Sequence, residues 1–94
     1  MSVEYEWDSS KAAQNLKKHR VSFEEAVTVL QDPLGSTFFD PDHSEDESRF
    51  ITIGRSNRQR FLFVSHLDRG NRVRIISARR VTARERRAYE EEAD

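Results

Sequence analysis

Cysteine is absent from this 94-residue sequence, and glycine and proline are scarce. Without cysteine the chain has no disulfides, no thiolate metal ligands and no cysteine nucleophile. The three glycines form no phosphate-binding loop, and the sequence contains no G-x-S-x-G nucleophile elbow. No apolar stretch resembles a signal peptide or approaches the roughly 20 residues of a membrane helix. These absences predict a soluble protein of the cytoplasm.

The length predicts one domain that spans residues 1–94, since domains most often contain about 100–150 residues. Charged residues make up 35% of the chain, above the roughly 25% of an ordinary domain. Six Phe, one Trp and two Tyr are nevertheless enough to form a core. The composition therefore indicates a small folded domain with a strongly charged surface.

The charges are polarised along the chain. Residues 1–47 contain four Lys or Arg and eleven Asp or Glu, a balance of −7. Residues 48–94 contain twelve cations and six acids, a balance of +6, and all twelve cations are arginine. Arginine offers a planar fork that matches phosphate, carboxylate or a base edge.

The basic half therefore predicts contact with a polyanion. The alternative explanation is a high-arginine composition combined with strands whose outer face must be polar. If that polyanion is RNA, six arginines are the predicted binding residues: Arg49, Arg55, Arg58, Arg72, Arg74 and Arg80.

The first part of the chain predicts two helices. Asp8 is a suitable N-cap for a helix over about 9–19. Ser22 and Glu25 form an S-x-x-E capping box that opens a second helix, which ends near Asp32. The second part changes from a helical period to the two-residue period of strands.

Strands are predicted at 3–7, 34–39, 49–55, 61–67 and 72–81. The turns fall at 56–59 and 68–71, with Gly70 free to take a positive φ. A second capping box, Thr82 and Glu85, opens a closing helix that is expected to fray over 90–94. The order predicts an α+β fold, two helices followed by a mainly antiparallel β-meander and a C-terminal helix, with the helices on one face of the sheet.

Metal chemistry finds little support in the sequence. The acidic loop over 40–47 places oxygen ligands at the first four ligand positions of a calcium loop, but Glu45 and Ile51 stand where that loop needs Gly and Glu. The three histidines have no metal-ligand spacing. The chemistry that remains is cofactor-free cleavage of RNA, in which the ribose 2′-OH attacks its own phosphate.

The last strand supplies the first catalytic candidate. Strict alternation predicts one face with Val73, Ile75, Ser77 and Arg79, and the other with Arg72, Arg74, Ile76, Ala78 and Arg80. Arg79 is the best single candidate, because a charge at the end of a central-looking strand requires a reason. Two further candidates have equally simple structural explanations: Tyr89 as a packing aromatic and His66 as a hydrogen-bonded core residue.

Three stretches resemble the BrnT toxins: WDSSKAAQNLKKHRVSFEEA, DPDHSEDESRFITIGRS and RVRIISARRVTARERRAYEEE. They cover nearly the whole chain and contain the motifs W-D-x-x-K-x-x-x-N-x-x-K-H, F-E-E-A and I-I-S-A-R. One departure is Arg20, where the family commonly has a glycine suited to the left-handed end of a helix.

The resemblance implies a RelE-like fold and a metal-independent ribonuclease that blocks translation. It also implies neutralisation by a BrnA-like antitoxin, whose complex with the toxin binds operator DNA. RelE-like enzymes carry key Arg and Tyr residues in the last strand and C-terminal segment, which here match Arg79 (or Arg80) and Tyr89. Lys18 and His19 of the Lys-His pair are secondary catalytic candidates, with a helix cap as their alternative role.

Two other hypotheses remain open from the sequence. The chain could be a degenerate toxin that binds RNA without cleaving it, or an interaction protein whose basic face only docks an acidic segment of the antitoxin.

Overall fold

The structure, a computed structural model, describes residues 2–40, 42 and 48–93, with side chains up to residue 91. The elements in chain order are β1 (Glu4–Glu6), α1 (Ser9–His19), α2 (Phe23–Leu30), β2 (Ser36–Phe39), β3 (Arg49–Arg55), β4 (Phe61–Arg69), β5 (Arg72–Arg80) and α3 (Ala83–Ala93). The predicted α+β class is confirmed. In the described part of the chain, no helix is long and apolar enough to cross a membrane.

The five strands form one sheet in the order β1-β5-β4-β3-β2. β2 to β5 are an antiparallel meander, as predicted. β1 adds to the outer side of β5 in parallel, with Tyr5 opposite Val73. This parallel pairing joins the two ends of the chain, and no local pattern in the sequence indicates it.

Local capping explains where the first helix begins and ends. Oδ1 of Asp8 accepts hydrogen bonds from the backbone N–H groups of Ser10 (2.8 Å) and Lys11 (3.1 Å). Arg20 ends α1 in the left-handed conformation, at φ 60° and ψ 31°. The backbone thus keeps the helix-stop geometry that favours glycine, although this chain has an arginine there.

The two predicted capping boxes differ. At α3 the box is complete: Thr82 Oγ1 accepts from the Glu85 N–H, and Glu85 Oε1 accepts from the Thr82 N–H. At α2 only the first half forms, because Ser22 Oγ accepts from the Glu25 N–H while the Glu25 carboxylate binds Ser56 and Arg60. A tertiary ion pair has replaced the local bond.

Helices α1 and α2 cover one face of the sheet, here called the helix-side face, which carries Leu62, Val64 and His66 of β4. Its core consists of Val21, Phe23, Ala26, Val29, Leu62, Val64, Ile75 and Ala78. The other face, here called the open face, carries Phe61, Phe63, Ser65, Leu67 and Arg69 of β4 and the residues paired with them.

Helix α3 lies against the open face, so the prediction of helices on one face only is wrong for α3. The ring of Tyr89 packs edge-on against Phe61, with centroids 5.4 Å apart. Glu85 binds Arg79, which pairs with Phe63 across the sheet. Helix α3 has no distinctive apolar stripe, so its placement depends on these few aromatic and charged contacts.

A bulge in β5 corrects the predicted faces of that strand. Ser65 pairs with Ser77 but His66 pairs with Ile75, so Ile76 is an extra residue. Arg72 and Arg74 therefore share the open face with Ser77 and Arg79, whereas the predicted alternation separated them. The same shift places Val73, Ile75, Ala78 and Arg80 together on the helix-side face.

The buried side chain of Asn15 stabilises β5 just past the bulge. Its amide donates to the Ala78 carbonyl (2.8 Å) and accepts from the Ala78 N–H (3.1 Å). The same nitrogen donates to the Val21 carbonyl (3.0 Å). Helix α1 thus supplies the partner for the strand edge where β1 has ended.

Several predicted boundaries move by a few residues. β4 continues to Arg69, which leaves a turn in which Gly70 has the expected positive φ of 61°. α2 ends at Leu30, β2 begins only at Ser36, and α3 runs to Ala93 where fraying was expected. Most of the acidic loop, residues 41 and 43–47, lies outside the described residues.

Candidate functional site

Arginine side chains collect on the open face. The register of the strands, together with the contact of Arg55 with Phe61, places six arginines there: Arg49, Arg55, Arg69, Arg72, Arg74 and Arg79. Four of the six predicted RNA-binding arginines are in this group. The other two are elsewhere: Arg80 is on the helix-side face, and Arg58 lies in the β3–β4 turn, 3.8 Å from Glu25 of α2.

The guanidinium of Arg79 is held in a fixed orientation. Its two terminal nitrogens each lie 2.8 Å from a different oxygen of Glu85, and Nη1 also donates to the Arg80 carbonyl. The group stacks over the ring of Phe63, 4.2 Å from the centroid. Among the described residues, none accepts from Nε, so the Nε–Nη2 edge of the fork remains available to a ligand.

The ion pair shifts the pKa of both partners. Hydrogen bonding from Arg79 lowers the pKa of Glu85 from 4.5 to about 2, against a smaller opposing effect of burial. Hydrogen bonding from Glu85 raises the pKa of Arg79. Both groups are therefore charged throughout the physiological range, and Arg79 can act as a fixed cation but not as a proton donor.

Tyr89 lies on the same face, one turn of α3 beyond Glu85. Its hydroxyl donates to the Leu34 carbonyl and accepts from Ser36 Oγ, each at 3.2 Å. These bonds, and the packing against Phe61, fix the second turn of α3 at the β2–β3 side of the sheet. The predicted pair of Arg79 and Tyr89 is thus brought to one surface by one helix.

Lys18 and His19 lie beside this surface and not on it. They line a cleft between α1 and β5 together with the bulge residues Ile76 and Ser77. Ile76 and Ser77 also line a cleft of about 300 Å³ in the middle of the open face, together with Arg49 and Ser65. The bulge therefore joins the Lys-His pair to the open face around the edge of the sheet.

His66 is separated from the arginines by the sheet itself. It is 3% exposed on the helix-side face and stacks on Phe50. One ring nitrogen hydrogen-bonds Thr52 Oγ1 at 2.8 Å, and the other lies 2.6 Å from Asp68 Oδ1. The imidazole is thus a satisfied core group that does not meet Arg79 or Tyr89.

Sequence reasoning missed three residues that shape the open face. The sequence predicts only a capping role for Glu85, a place in the strand over 61–67 for Phe63, and a place in the turn over 68–71 for Arg69. Glu85 and Arg79 are only six residues apart, but they meet because the chain reverses between β5 and α3. The one local signal for this ion pair in the sequence is a basic residue, Arg79, followed by an acidic residue, Glu85, across a strand-to-helix turn.

Comparison with known proteins identifies the family and the fold. Residues 7–85 match the family described as ribonuclease toxin, BrnT, of type II toxin-antitoxin system. The crystal structure of the Brucella abortus ribonuclease toxin BrnT is similar in fold, with a TM-score of 0.64 at 23% sequence identity. The alignment covers 86% of this chain and 99% of the Brucella chain. A comparison with curated protein sequences gave no match.

The family match covers most of the chain, and it includes α1, the whole meander and the first turn of α3 with Glu85. The matched range, residues 7–85, includes Arg79 and the other open-face arginines, and Tyr89 lies four residues past its end. On this evidence the chain belongs to the BrnT family of ribonuclease toxins of type II toxin–antitoxin systems.

Proposed function

We propose that the protein is a metal-independent endoribonuclease whose active site is the open face around Arg79 and Tyr89. The observation that carries the proposal is the position of Arg79: its guanidinium is oriented by Glu85 and Phe63, with the Nε–Nη2 edge available and five further arginines on the same face. A buried or fully paired arginine would not suit a substrate anion, and this one is neither.

The proposed reaction is transfer of the phosphodiester to the neighbouring ribose hydroxyl. The 2′-oxygen loses its proton to a base and forms a bond to phosphorus, the bond from phosphorus to the 5′-oxygen breaks, and the leaving oxygen takes up a proton. The products are a 2′,3′-cyclic phosphate and a 5′-hydroxyl end. The fork of Arg79 binds the non-bridging oxygens, where negative charge increases in the transition state.

Tyr89 is the proposed proton-transfer group on the open face, because its hydroxyl both donates and accepts a hydrogen bond there. Lys18 and His19 are the alternative proton-transfer groups, since the cleft that they line meets the open face at Ser77. His66 is not carried into the mechanism, because its ring is buried on the other side of the sheet.

In the cell the proposed role is inhibition of translation by RNA cleavage in the cytoplasm. Membership of a type II toxin family implies an antitoxin protein as partner. We propose that this partner is a BrnA-like protein and that only the complex of the two proteins binds operator DNA. The charge polarity of the chain is suited to an antitoxin that presents acidic groups to the open face.

The proposal is tested by expressing the chain alone and together with its antitoxin. We expect growth arrest that the antitoxin relieves, and cleavage of single-stranded RNA by the purified protein in EDTA. Products should end in cyclic phosphates, and a 2′-deoxy substitution at the cleaved nucleotide should abolish the reaction. Normal growth with abundant protein, or intact RNA after long incubation, would overturn the assignment.

Arg79→Ala should reduce the rate of cleavage by about 100-fold or more, the usual effect of removing a donor to a developing oxyanion. Arg79→Lys should not restore the rate, because lysine lacks the fork. Arg87→Ala is the matched control, since Arg87 is an exposed arginine of α3 with no contact to the open face among the described residues. Loss of RNA binding with unchanged cleavage per bound molecule would assign Arg79 to binding alone.

A further inference from the structure

A second cleft lies on the open face, at the far end from α3. It has a volume of about 360 Å³ and is lined by Glu6, Leu67, Arg69, Arg72 and Arg74. Leu67 is buried, and three of the other four lining residues are arginines. The lining carries three positive charges and one negative charge, so its composition suits an anion.

Two of the three arginines face each other directly. Arg69 of β4 is the register partner of Arg72 of β5, next to the turn at Gly70. Like charges in directly opposite positions of an antiparallel pair destabilise the sheet. An anion bound between the two guanidinium groups would remove that repulsion.

The acidic residues of β1 neutralise only part of this charge. Glu6 lies 3.0 Å from Arg74 and 3.5 Å from Arg72, and Glu4 lies 3.6 Å from Arg72. Arg69 forms no ion pair with any residue that the structure describes. These ion pairs are also largely exposed, with Arg72 at 64%, so a ligand can compete for their arginines at low cost.

The cleft is separated from Arg79 along the same face. Arg79 pairs with Phe63, Arg74 pairs with Leu67 and Arg72 pairs with Arg69. At roughly 3.3 Å per residue of β4, the two sites lie about 13–20 Å apart. Adjacent phosphates of one strand cannot span that distance, whereas a segment of several nucleotides can.

We propose that the cleft formed by Arg69, Arg72 and Arg74 is a second phosphate-binding subsite for the same RNA strand whose scissile phosphate lies at Arg79. The inference rests on the proposed function for the role of Arg79. It adds a requirement for substrate length, because only an RNA that extends several nucleotides from the cleavage point reaches both sites. Glu6 limits the affinity of this subsite by competing for two of its arginines.

The test measures dissociation constants by fluorescence anisotropy, with 2′-O-methyl RNA that cannot be cleaved. The probes are a strand of about 12 nucleotides, which is long enough to reach both sites, and a strand of about 3 nucleotides, which can reach only one. Arg69→Ala should weaken binding of the longer strand about 5–10-fold and make the salt slope shallower by about 0.7, the value of one phosphate contact. Binding of the short strand at the Arg79 site should be unchanged.

Glu6→Gln should act in the opposite direction, since it releases Arg72 and Arg74 from their carboxylate, and should tighten binding of the longer strand several-fold. Lys17→Ala is the charge-matched control: Lys17 is exposed on α1, which covers the other face of the sheet. It should change neither affinity. Melting temperatures of the three variants establish that all are folded.

Equal affinity of wild type and Arg69→Ala for the longer strand would overturn the subsite. The subsite would also be overturned if Arg69→Ala bound RNA as tightly as wild type but lost affinity for an acidic peptide such as oligoglutamate. In that case the cleft would recognise a protein partner. Failure of the proposed function gives a different result. Wild type would then leave unmodified RNA intact, while the Arg69→Ala substitution would still weaken RNA binding. The subsite would then belong to an RNA-binding protein without catalysis.

Discussion

At the scale of single residues, the functional character of the open face depends on how each arginine is partnered. Arg79 is paired by both terminal nitrogens yet keeps one edge of its fork available. Arg60 is also paired, but with Glu25, a carboxylate buried to 3% exposure between α2 and the β3–β4 turn. The first arrangement leaves a cation available to a ligand, and the second uses the cation entirely for structure. Arginine counts in the sequence do not distinguish the two.

The Arg79–Glu85 pair makes stability depend on pH in a defined range. Because Arg79 lowers the pKa of Glu85 from 4.5 to about 2, the ionised form stabilises the fold above pH 4.5 and this contribution is lost as the pH falls towards 2. About a third of each side chain is exposed, so solvent screening limits the contribution to about 1 kcal/mol.

Glu85→Gln keeps a residue that can cap α3 but removes the charge. We expect its free energy of unfolding to be about 1 kcal/mol lower than that of wild type at neutral pH, with the difference shrinking below pH 4.5. Urea unfolding over a pH series measures this. Glu90→Gln, which removes an exposed carboxylate paired with Arg86, should change stability by less than about 0.5 kcal/mol. A pH-independent loss in Glu85→Gln would show that the effect is not due to the ion pair.

At the scale of elements, two helices are attached to the sheet by polar contacts as well as by the core. Asn15 binds α1 to the edge of β5. Glu25 binds α2 to the β3–β4 turn through Ser56 Oγ (2.7 Å) and Arg60 Nε (2.9 Å). Hydrogen bonding from Arg60 lowers the pKa of Glu25 despite its burial. The cost of burying these groups is met only while every partner is present.

Arg60→Ala should therefore destabilise the fold by about 3 kcal/mol or more, because it leaves the Glu25 carboxylate buried without its main partner. Arg58→Ala is the matched control: Arg58 is 68% exposed and only 3.8 Å from the same carboxylate. Its loss should cost less than about 0.5 kcal/mol. Denaturant unfolding of both variants measures the difference, and equal costs would contradict the assignment of Arg60 as the principal partner.

At the scale of the whole molecule, the fold gathers arginines from the second half of the chain on one face of the sheet. The net charge is only −1, but six arginines of the second half share the open face, since the bulge at Ile76 places Arg72 and Arg74 on the same side as Arg79. Helices α1 and α2 cover the opposite side and carry three lysines and two glutamates between them. A polyanion therefore meets a positive surface on a chain that is nearly neutral overall.

This distribution predicts a steep salt dependence of RNA binding. If about four phosphates are neutralised on the open face, log K should fall with log salt concentration with a slope of about −3. Titrations of single-stranded RNA between low and physiological salt measure the slope. A slope near zero, the value expected from the net charge alone, would contradict binding by the open face.

The sequence by itself determined the features that depend on near neighbours. Asp8 caps α1, Gly70 takes a positive φ, and β3 spans 49–55 as predicted, because caps, turns and alternation arise within a few residues. The charge polarity and the BrnT motifs also came from the sequence.

Only the tertiary structure decided which side chains share a surface. The hydrogen bonds of Asn15 to Ala78 span 63 positions, and β1 pairs with β5 from the other end of the chain. The bulge at Ile76 breaks the two-residue alternation, so a strictly periodic reading of β5 assigned Arg72 and Arg74 to the wrong face. Such contacts depend on how distant elements pack together, and no local propensity contains that information.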